Sequence, residues 1–373
     1  MTGELTARQA LLVMNGLPEI GPITLNRLLE EFGGDPVAVL RAPARQLQAV
    51  KGVGPAVSAS LTGWAKQFDL AREEERMARA GADFITVADE TYPRMLKEIH
   101  DPPIGLYRKG TYAFDQPCIA IVGSRRTTLY GQSVAQRFAA ELAQRGFCIV
   151  SGLARGIDTA AHEGALSVKG RTVAVLGCGL DIIYPSENLD LYRRIAETGA
   201  VVSEFPFGRK ADRQSFPMRN RVVAGICDAV IVVESDVAGG SMITARFAGE
   251  QGRLVYAVPG RIDQPSSAGC HQLIRDGATL ITSVEDMLGE LSYLDGLRPS
   301  PIPPKTDSRA SEAGVLSPDE ERVMACFAGG AMLSPDAVAE QTGLDAGTLA
   351  PVLMMLELQH RLVRRLDGTW EAR

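Results

Sequence analysis

From residue 116 onward the chain alternates short apolar runs with longer stretches of mixed pattern. The runs are CIAIVGS, FCIVSGL, RTVAVLGCGL, AVVSEFP, DAVIVVES, LVYAVPG and ATLITS. Most end in Gly or Pro and are followed by a stretch of helix length. Runs apolar on both faces, spaced by helices, predict a parallel sheet with helices on either side. We therefore expect a Rossmann-like α/β domain over 81–297. Residues 83–115 read as its connector, with YP at 92–93, DPP at 101–103 and a short strand, LYRKG, at 106–110.

The pattern differs at both ends. Residues 1–80 are helical and contain two similar turns, LPEIGPITLNRLLEEFG and VKGVGPAVSASL. Both resemble helix-hairpin-helix turns, whose glycines let backbone N–H groups approach a DNA phosphate. A plain helix-packing turn weighs equally, because the region is not basic. An N-terminal helical domain of SAM or helix-hairpin-helix type is expected. Residues 298–314, RPSPIPPKTDSRASEAG, predict a flexible linker. Residues 315–373 predict three short helices and a final strand, a helix-turn-helix with a wing. Its helix around 346–359 is mostly apolar and carries Glu357, which argues against reading a DNA groove. Arg361, Arg364 and Arg365 are available to phosphates, and a protein-contact or dimer module is an equal reading.

Composition narrows the class. The 373 residues are 45% hydrophobic and 23% charged, ordinary for a globular chain of two or three domains. No apolar run approaches the roughly 20 residues of a membrane span. The start, MTGELTARQALLVMNG, carries Glu4 and lacks a signal-peptide pattern, so a cytoplasmic location is expected. Six cysteines stand singly, with no C-x-x-C, and the four histidines have no metal spacing. Buried reduced thiols, no metal and no cofactor are expected. The net charge of −6 argues against a whole-surface nucleic-acid binder. Yet Gly123 to Arg221 holds 14 Lys and Arg against 9 Asp and Glu, which points to a localised anionic partner.

Ligands of open α/β sheets bind beyond the carboxyl ends of the strands. After the first run stand Gly123, Ser124, Arg125 and Arg126, a strand-to-helix turn offering arginines where a dinucleotide fingerprint has glycines. After the second come Gly152, Arg155 and Gly156, with Asp158 and His162 spaced to pair on the next helix. The third run is followed by a G-x-G (177–179) without its third glycine, and no acid ends the second strand, so a dinucleotide is not expected. After the fourth, SEFPFGRKADRQSFPMRNRVVAG has Arg209, Lys210, Arg213, Arg219 and Arg221 against Asp212, interleaved with Phe205, Phe207 and Phe216. Cations for a backbone and aromatic faces for bases are what single-strand binding needs. After the fifth, Gly239, Gly240 and Ser241 open another helix.

GSRR (123–126), SGLARGIDTAAH (151–162), GLDIIYPSEN (179–188), SEFPFG (203–208), FPMRNRVVAG (216–225), GGSMITARFAGEQGR (239–253) and AVPG (257–260) together resemble the DNA-processing protein A family, also called DprA or Smf. The resemblance implies a non-enzymatic protein that binds single-stranded DNA, forms a homodimer and loads the RecA recombinase in natural transformation. Single-strand-binding protein is a further partner it suggests. It implies that Arg125 binds phosphate, that Arg213 stands at an often basic position, and that Phe216, Arg219 and Asn220 lie at the DNA pocket. Thr127 stands where many members have proline, which is expected to loosen the turn. The competing reading is a nucleotide phosphoribohydrolase on a lysine-decarboxylase-like sheet. That family carries PGGxGTxxE, and AGGSMITARFAGE here lacks its Gly-Thr.

Overall fold

The computed structural model describes residues 4–18, 20–291, 316–327, 331–359, 361–365 and 367–372. Its main sheet has nine strands. Strands β1 (Ala82–Thr86) and β2 (Gly105–Gly110) pair antiparallel. The seven apolar runs then form β3 (Cys118–Val122), β4 (Cys148–Ser151), β5 (Thr172–Leu176), β6 (Ala200–Ser203), β7 (Ala229–Val232), β8 (Leu254–Ala257) and β9 (Thr279–Leu280). These seven are parallel, and β2 joins β6 antiparallel, giving the order β1-β2-β6-β5-β4-β3-β7-β8-β9. The expected parallel sheet is present.

Side-chain alternation explains why these runs are apolar throughout. Ile119, Ile121, Ile149 and Ile231 point into one core. Ala120, Val122, Val150 and Val230 point into another on the opposite face. Both faces are covered, so neither set can be polar.

Among the described residues seven helices precede the sheet: α1 (Ala7–Gly16), α2 (Pro22–Glu31), α3 (Pro36–Arg41), α4 (Ala44–Leu47), α5 (Pro55–Thr62), α6 (Trp64–Gln67) and α7 (Leu70–Ala80). The two glycine turns cap α2 and α5 at Gly21 and Gly54, each with proline at the first helical position, where its missing N–H costs nothing. Helix residues Met14, Leu28 and Leu61 share one core with Phe84, Tyr107 and Phe207. Asn15 donates to the Glu204 carbonyl (2.8 Å) and Arg76 to that of Phe207 (2.9 Å), which anchors the chain just after β6.

Along the sheet follow α8 (Arg94–Lys97), α9 (Leu129–Gln144), α10 (Ile157–Ser167), α11 (Leu189–Thr198), α12 (Ser215–Ile226), α13 (Gly240–Glu250), α14 (Pro265–Arg275) and α15 (Glu285–Leu288). Strand order reverses at β3: β4, β5 and β6 lie on one side and β7, β8 and β9 on the other. The loops after β3 and β7 therefore part and leave a crevice at the carboxyl edge.

The C-terminal residues form a second compact unit. It contains α16 (Pro318–Cys326), α17 (Pro335–Thr342) and α18 (Ala346–Leu358), with a small sheet of β10 (Met332–Leu333), β11 (Leu362–Arg364) and β12 (Trp370–Ala372). Val323, Phe327, Val338, Leu353 and Trp370 form its core. The linker expected at 298–314 lies outside the described residues. No helix among the described residues is long and apolar enough to cross a membrane. Five of the six cysteines are buried and all six are free thiols.

Candidate nucleic-acid interface

The turn after β3 is stitched across the crevice. Ser124 donates its N–H to the Glu234 carbonyl (2.6 Å), and its own carbonyl accepts from Ile157 N–H (3.2 Å). Its hydroxyl accepts from Arg126 N–H (3.0 Å). Thr127 does not loosen this turn. Its buried hydroxyl donates to the Glu234 carboxylate at 2.6 Å, a bond that a proline there would lack. Held from beneath, the turn sends Arg125 and Arg126 into solvent. Gly123 is close-packed, and an added Cβ would meet Ile157 and the Glu234 carbonyl.

The turn after β4 is organised by Asp158. Its buried carboxylate accepts from Gly152 N–H (3.1 Å) and Ala154 N–H (3.3 Å). Gly156 adopts φ 79°, and an added Cβ there would strike the Ser124 carbonyl. Arg155 is exposed and forms a forked pair with Glu187. The expected Asp158–His162 pair does not form, because Asp158 is taken up by the turn. His162 Nδ1 lies 2.7 Å from the Thr172 hydroxyl, and that hydroxyl donates to the Ile149 carbonyl. Nδ1 must therefore carry the proton. Nε2 is left as a bare, buried acceptor without a partner among the described residues.

The loop after β6 departs most from expectation. Of its five cations, Arg219 and Arg221 are interior. Arg219 is 6% exposed; one of its guanidinium nitrogens donates to the carbonyls of Gly152 and Val175, both at 2.6 Å. Burial pushes its pKa down, and the nearby Asp158 charge partly offsets this. Burial likewise raises Asp158, opposed first by Arg219. Arg219 is thus a brace beneath the turns rather than a surface phosphate contact. Arg221 is held by Glu204 (2.6 Å) and Asp101 (3.2 Å). Asp212 caps the start of α12 through Ser215 and Gln214 N–H, and these bonds, with Arg209, hold its carboxyl below the usual range.

Phe205 and Phe207 are core residues, Phe207 meeting Tyr107 edge to face at 5.7 Å. Phe216 is the half-buried one. Arg125 places its guanidinium over the Phe216 ring, 5.0 Å from the centroid. The Phe216 ring centroid also lies 5.7 Å from that of Tyr184, which is 45% exposed. Gly177 makes room for this ring, since a Cβ there would come within 3.2 Å of it. Lys210 and Arg213 are exposed nearby in sequence. Arg125, Arg126, Lys210 and Arg213 have no carboxylate partner among the described residues, whereas Arg209 pairs with Asp212.

Asn220 is buried and donates to the Gly240 carbonyl at 3.2 Å, so it joins α12 to α13. Ser241 is also buried, its hydroxyl directed at Ser235 (2.7 Å), which leaves backbone N–H groups as what this turn presents. Gly240 is exposed with open space around it. Sequence reasoning missed Tyr184 and Glu234. Tyr184 was visible in IIYPSEN as an aromatic in a loop after a strand; Glu234 had no signal, since its role depends on contacts across the crevice.

The family profile of the DNA recombination-mediator protein A matches residues 83–292, and that of the DprA winged helix domain matches residues 303–368. The DNA processing protein DprA of Bacillus subtilis is 39% identical over 268 residues, 71% of this chain and 89% of that protein. The X-ray structure of DNA processing protein A from Streptococcus pneumoniae superposes with a TM-score of 0.66 at 34% identity, over 77% of this chain and 99% of that one. A Helicobacter pylori DNA processing protein A, solved for its single-stranded DNA binding mode, gives 0.52 at 33% identity, over 57% and 96%. With the sheet order, the stitched GSRR turn and these matches agreeing, the chain belongs to the DNA recombination-mediator protein A family.

Proposed function

We propose that this chain binds single-stranded DNA along the carboxyl edge of its sheet and acts, without catalysis, as a recombination mediator that loads the RecA recombinase. The observation that carries this is the grouping around Phe216. The half-buried Phe216 ring and the exposed Tyr184 lie beside the Arg125 guanidinium, and Arg125, Arg126, Lys210 and Arg213 on these loops have no carboxylate partner among the described residues. Cations neutralise backbone phosphates while rings stack on bases of any sequence. The single-strand binding named for the Helicobacter pylori relative supports the same reading. In it Arg125, Arg126, Lys210 and Arg213 contact phosphate, Phe216 and Tyr184 stack, and Gly152, Arg155, Arg219, Asn220, Gly240 and Ser241 shape the groove. A homodimer through the sheet domain near 257–274 would join two grooves into one track. Single-strand-binding protein is a further partner in this reading.

A phosphoribohydrolase fits less well. When the two glycines of PGGxGTxxE are laid on Gly239 and Gly240, its acid falls on Arg246, a cation paired with Glu250 on α13. Fluorescence anisotropy of the full chain with single- and double-stranded oligonucleotides tests the proposal. Tighter single-strand binding is expected, and equal or tighter duplex binding rejects it. Release of free base from nucleoside monophosphates would reject the non-catalytic part.

A further inference from the structure

Arg155 differs from Arg125, Arg126, Lys210 and Arg213: it is exposed after β4, yet a carboxylate already holds it. Its Nε donates to one oxygen of Glu187, and its Nη2 donates to the other at 3.0 Å. This is the edge with which a guanidinium grips a phosphate in a forked pair. Arg209 is less occupied, since it meets Asp212 through one nitrogen at 3.4 Å. Glu187 stands in a short 3-10 turn, Ser186–Asn188, in the loop after β5. Tyr184, whose ring centroid is 5.7 Å from that of Phe216, lies in the same loop. Glu187, and after it Tyr184, hold the Arg155 pKa above its usual value, so carboxylate, phenol and guanidinium meet at one spot.

The ion pair is not what fixes this loop. Asn188 is buried and donates to the Leu153 carbonyl (3.0 Å) and the Thr159 hydroxyl (2.9 Å), which ties the loop after β5 to the turn after β4 and the start of α10. Arg155 and Glu187 are both half-exposed, and an ion pair open to water adds little to stability. A carboxylate beside a groove for a polyanion opposes binding wherever a phosphate comes near it. Its use is therefore to decide where phosphates do not go.

We propose that Glu187 is a positioning residue for strand binding: it keeps Arg155 occupied, so that phosphates run past Arg125, Arg126, Lys210 and Arg213 and the Tyr184 side of the groove is left to bases. This rests on the strand-binding reading above and refines it. A phosphate nearing Arg155 meets the Glu187 carboxylate at similar range, so attraction and repulsion nearly cancel. A base is uncharged, is not repelled, and stacks on the exposed Tyr184 ring.

Salt titrations of thymine oligonucleotide binding by the full chain test this, with wild type, Glu187→Gln, Arg155→Ala and the double variant. Both positions are exposed, so all three variants should keep their fold by circular dichroism. Arg155→Ala alone should leave the slope of log K against log salt unchanged. Glu187→Gln should tighten binding and steepen the slope by roughly 0.7, one added phosphate contact. Adding Arg155→Ala to it should return the slope to the wild-type value. A merely structural pair would produce neither the gain nor its dependence on Arg155. With one 2-aminopurine in the strand, the Glu187→Gln complex should fluoresce more brightly at saturation, because a backbone drawn to Arg155 leaves the rings. An Arg155→Ala slope flatter by one contact, an unchanged Glu187→Gln slope, a gain that persists in the double variant, or equal emission overturns the proposal and leaves strand binding in place. A wild-type slope near zero removes both.

Discussion

The guanidinium of Arg125, from the turn after β3, lies over the ring of Phe216, from the first turn of α12, at 5.0 Å from its centroid. Two residues 91 positions apart in the sequence thus form one surface element. An exposed cation–π contact of this kind contributes about 0.5–1 kcal/mol. More importantly, it sets where the cation stands.

In single-strand binding, the Arg125→Ala and Phe216→Ala losses should therefore be non-additive, by about 0.5–1 kcal/mol in a double-mutant cycle. Arg125→Ala should flatten the slope of log K against log salt by roughly 0.7, while Phe216→Ala should lower affinity at nearly constant slope. Strictly additive losses, or a slope that follows the ring rather than the guanidinium, would refute these roles.

Total salt dependence follows from the cations that have no carboxylate partner among the described residues. With Arg125, Arg126, Lys210 and Arg213 each neutralising one phosphate, the slope per subunit should be about −3. Arg213→Ala should reduce it by one contact while changing stability by less than about 0.5 kcal/mol. A slope near zero in a salt titration would mean that these side chains do not meet the backbone.

Arg219 should behave as a structural residue. Removing it takes a donor from the carbonyls of Gly152 and Val175 and leaves the buried Asp158 carboxylate without its neighbouring cation. Arg219→Ala should cost about 3–5 kcal/mol in urea unfolding. Arg219→Lys should recover little, because an ammonium lacks the planar fork. A fully stable Arg219→Ala chain with impaired DNA binding would instead restore the surface role first expected from sequence.

His162 makes stability depend on pH. Burial, with Arg219 adding to it, lowers the His162 pKa from 6.5 to about 3. Between these values the unfolded chain takes up a proton that the folded chain refuses. The contribution is full above pH 6.5 and is lost as pH falls toward 3. Between pH 7 and pH 5 the loss should be about 2 kcal/mol. His162→Gln should shrink that difference in urea titrations at the two pH values; an unchanged difference would show that another group is responsible.

The sheet was legible because burial on both faces demands apolar residues at every strand position, and all seven runs became strands. Arg125 was legible because it follows a strand in a turn with no apolar neighbours. Arg219 and Arg221 were not, since RNRVV reads the same whether its cations face solvent or carbonyl oxygens. Only the start of α12 at Ser215, which turns these side chains inward, decides it. Phe205 and Phe207 misled for the same reason: alternation with charges does not show which face is covered. The Asp158–His162 spacing was right for a pair, but Asp158 accepts from backbone donors of the preceding turn and His162 turns to Thr172.

The brace beneath the turns has a consequence for how this sequence can vary. Position 152 has no room for a β-carbon because the Arg219 guanidinium fills that space, 67 residues further along the chain. The two sites therefore behave as a single heritable character. A lineage can gain a side chain at 152 only after 219 has shrunk, and an ancestor that had lost the arginine would be free to drift at the glycine. Pairwise substitution libraries should show that order of acceptance as a one-way door, with the glycine opening last.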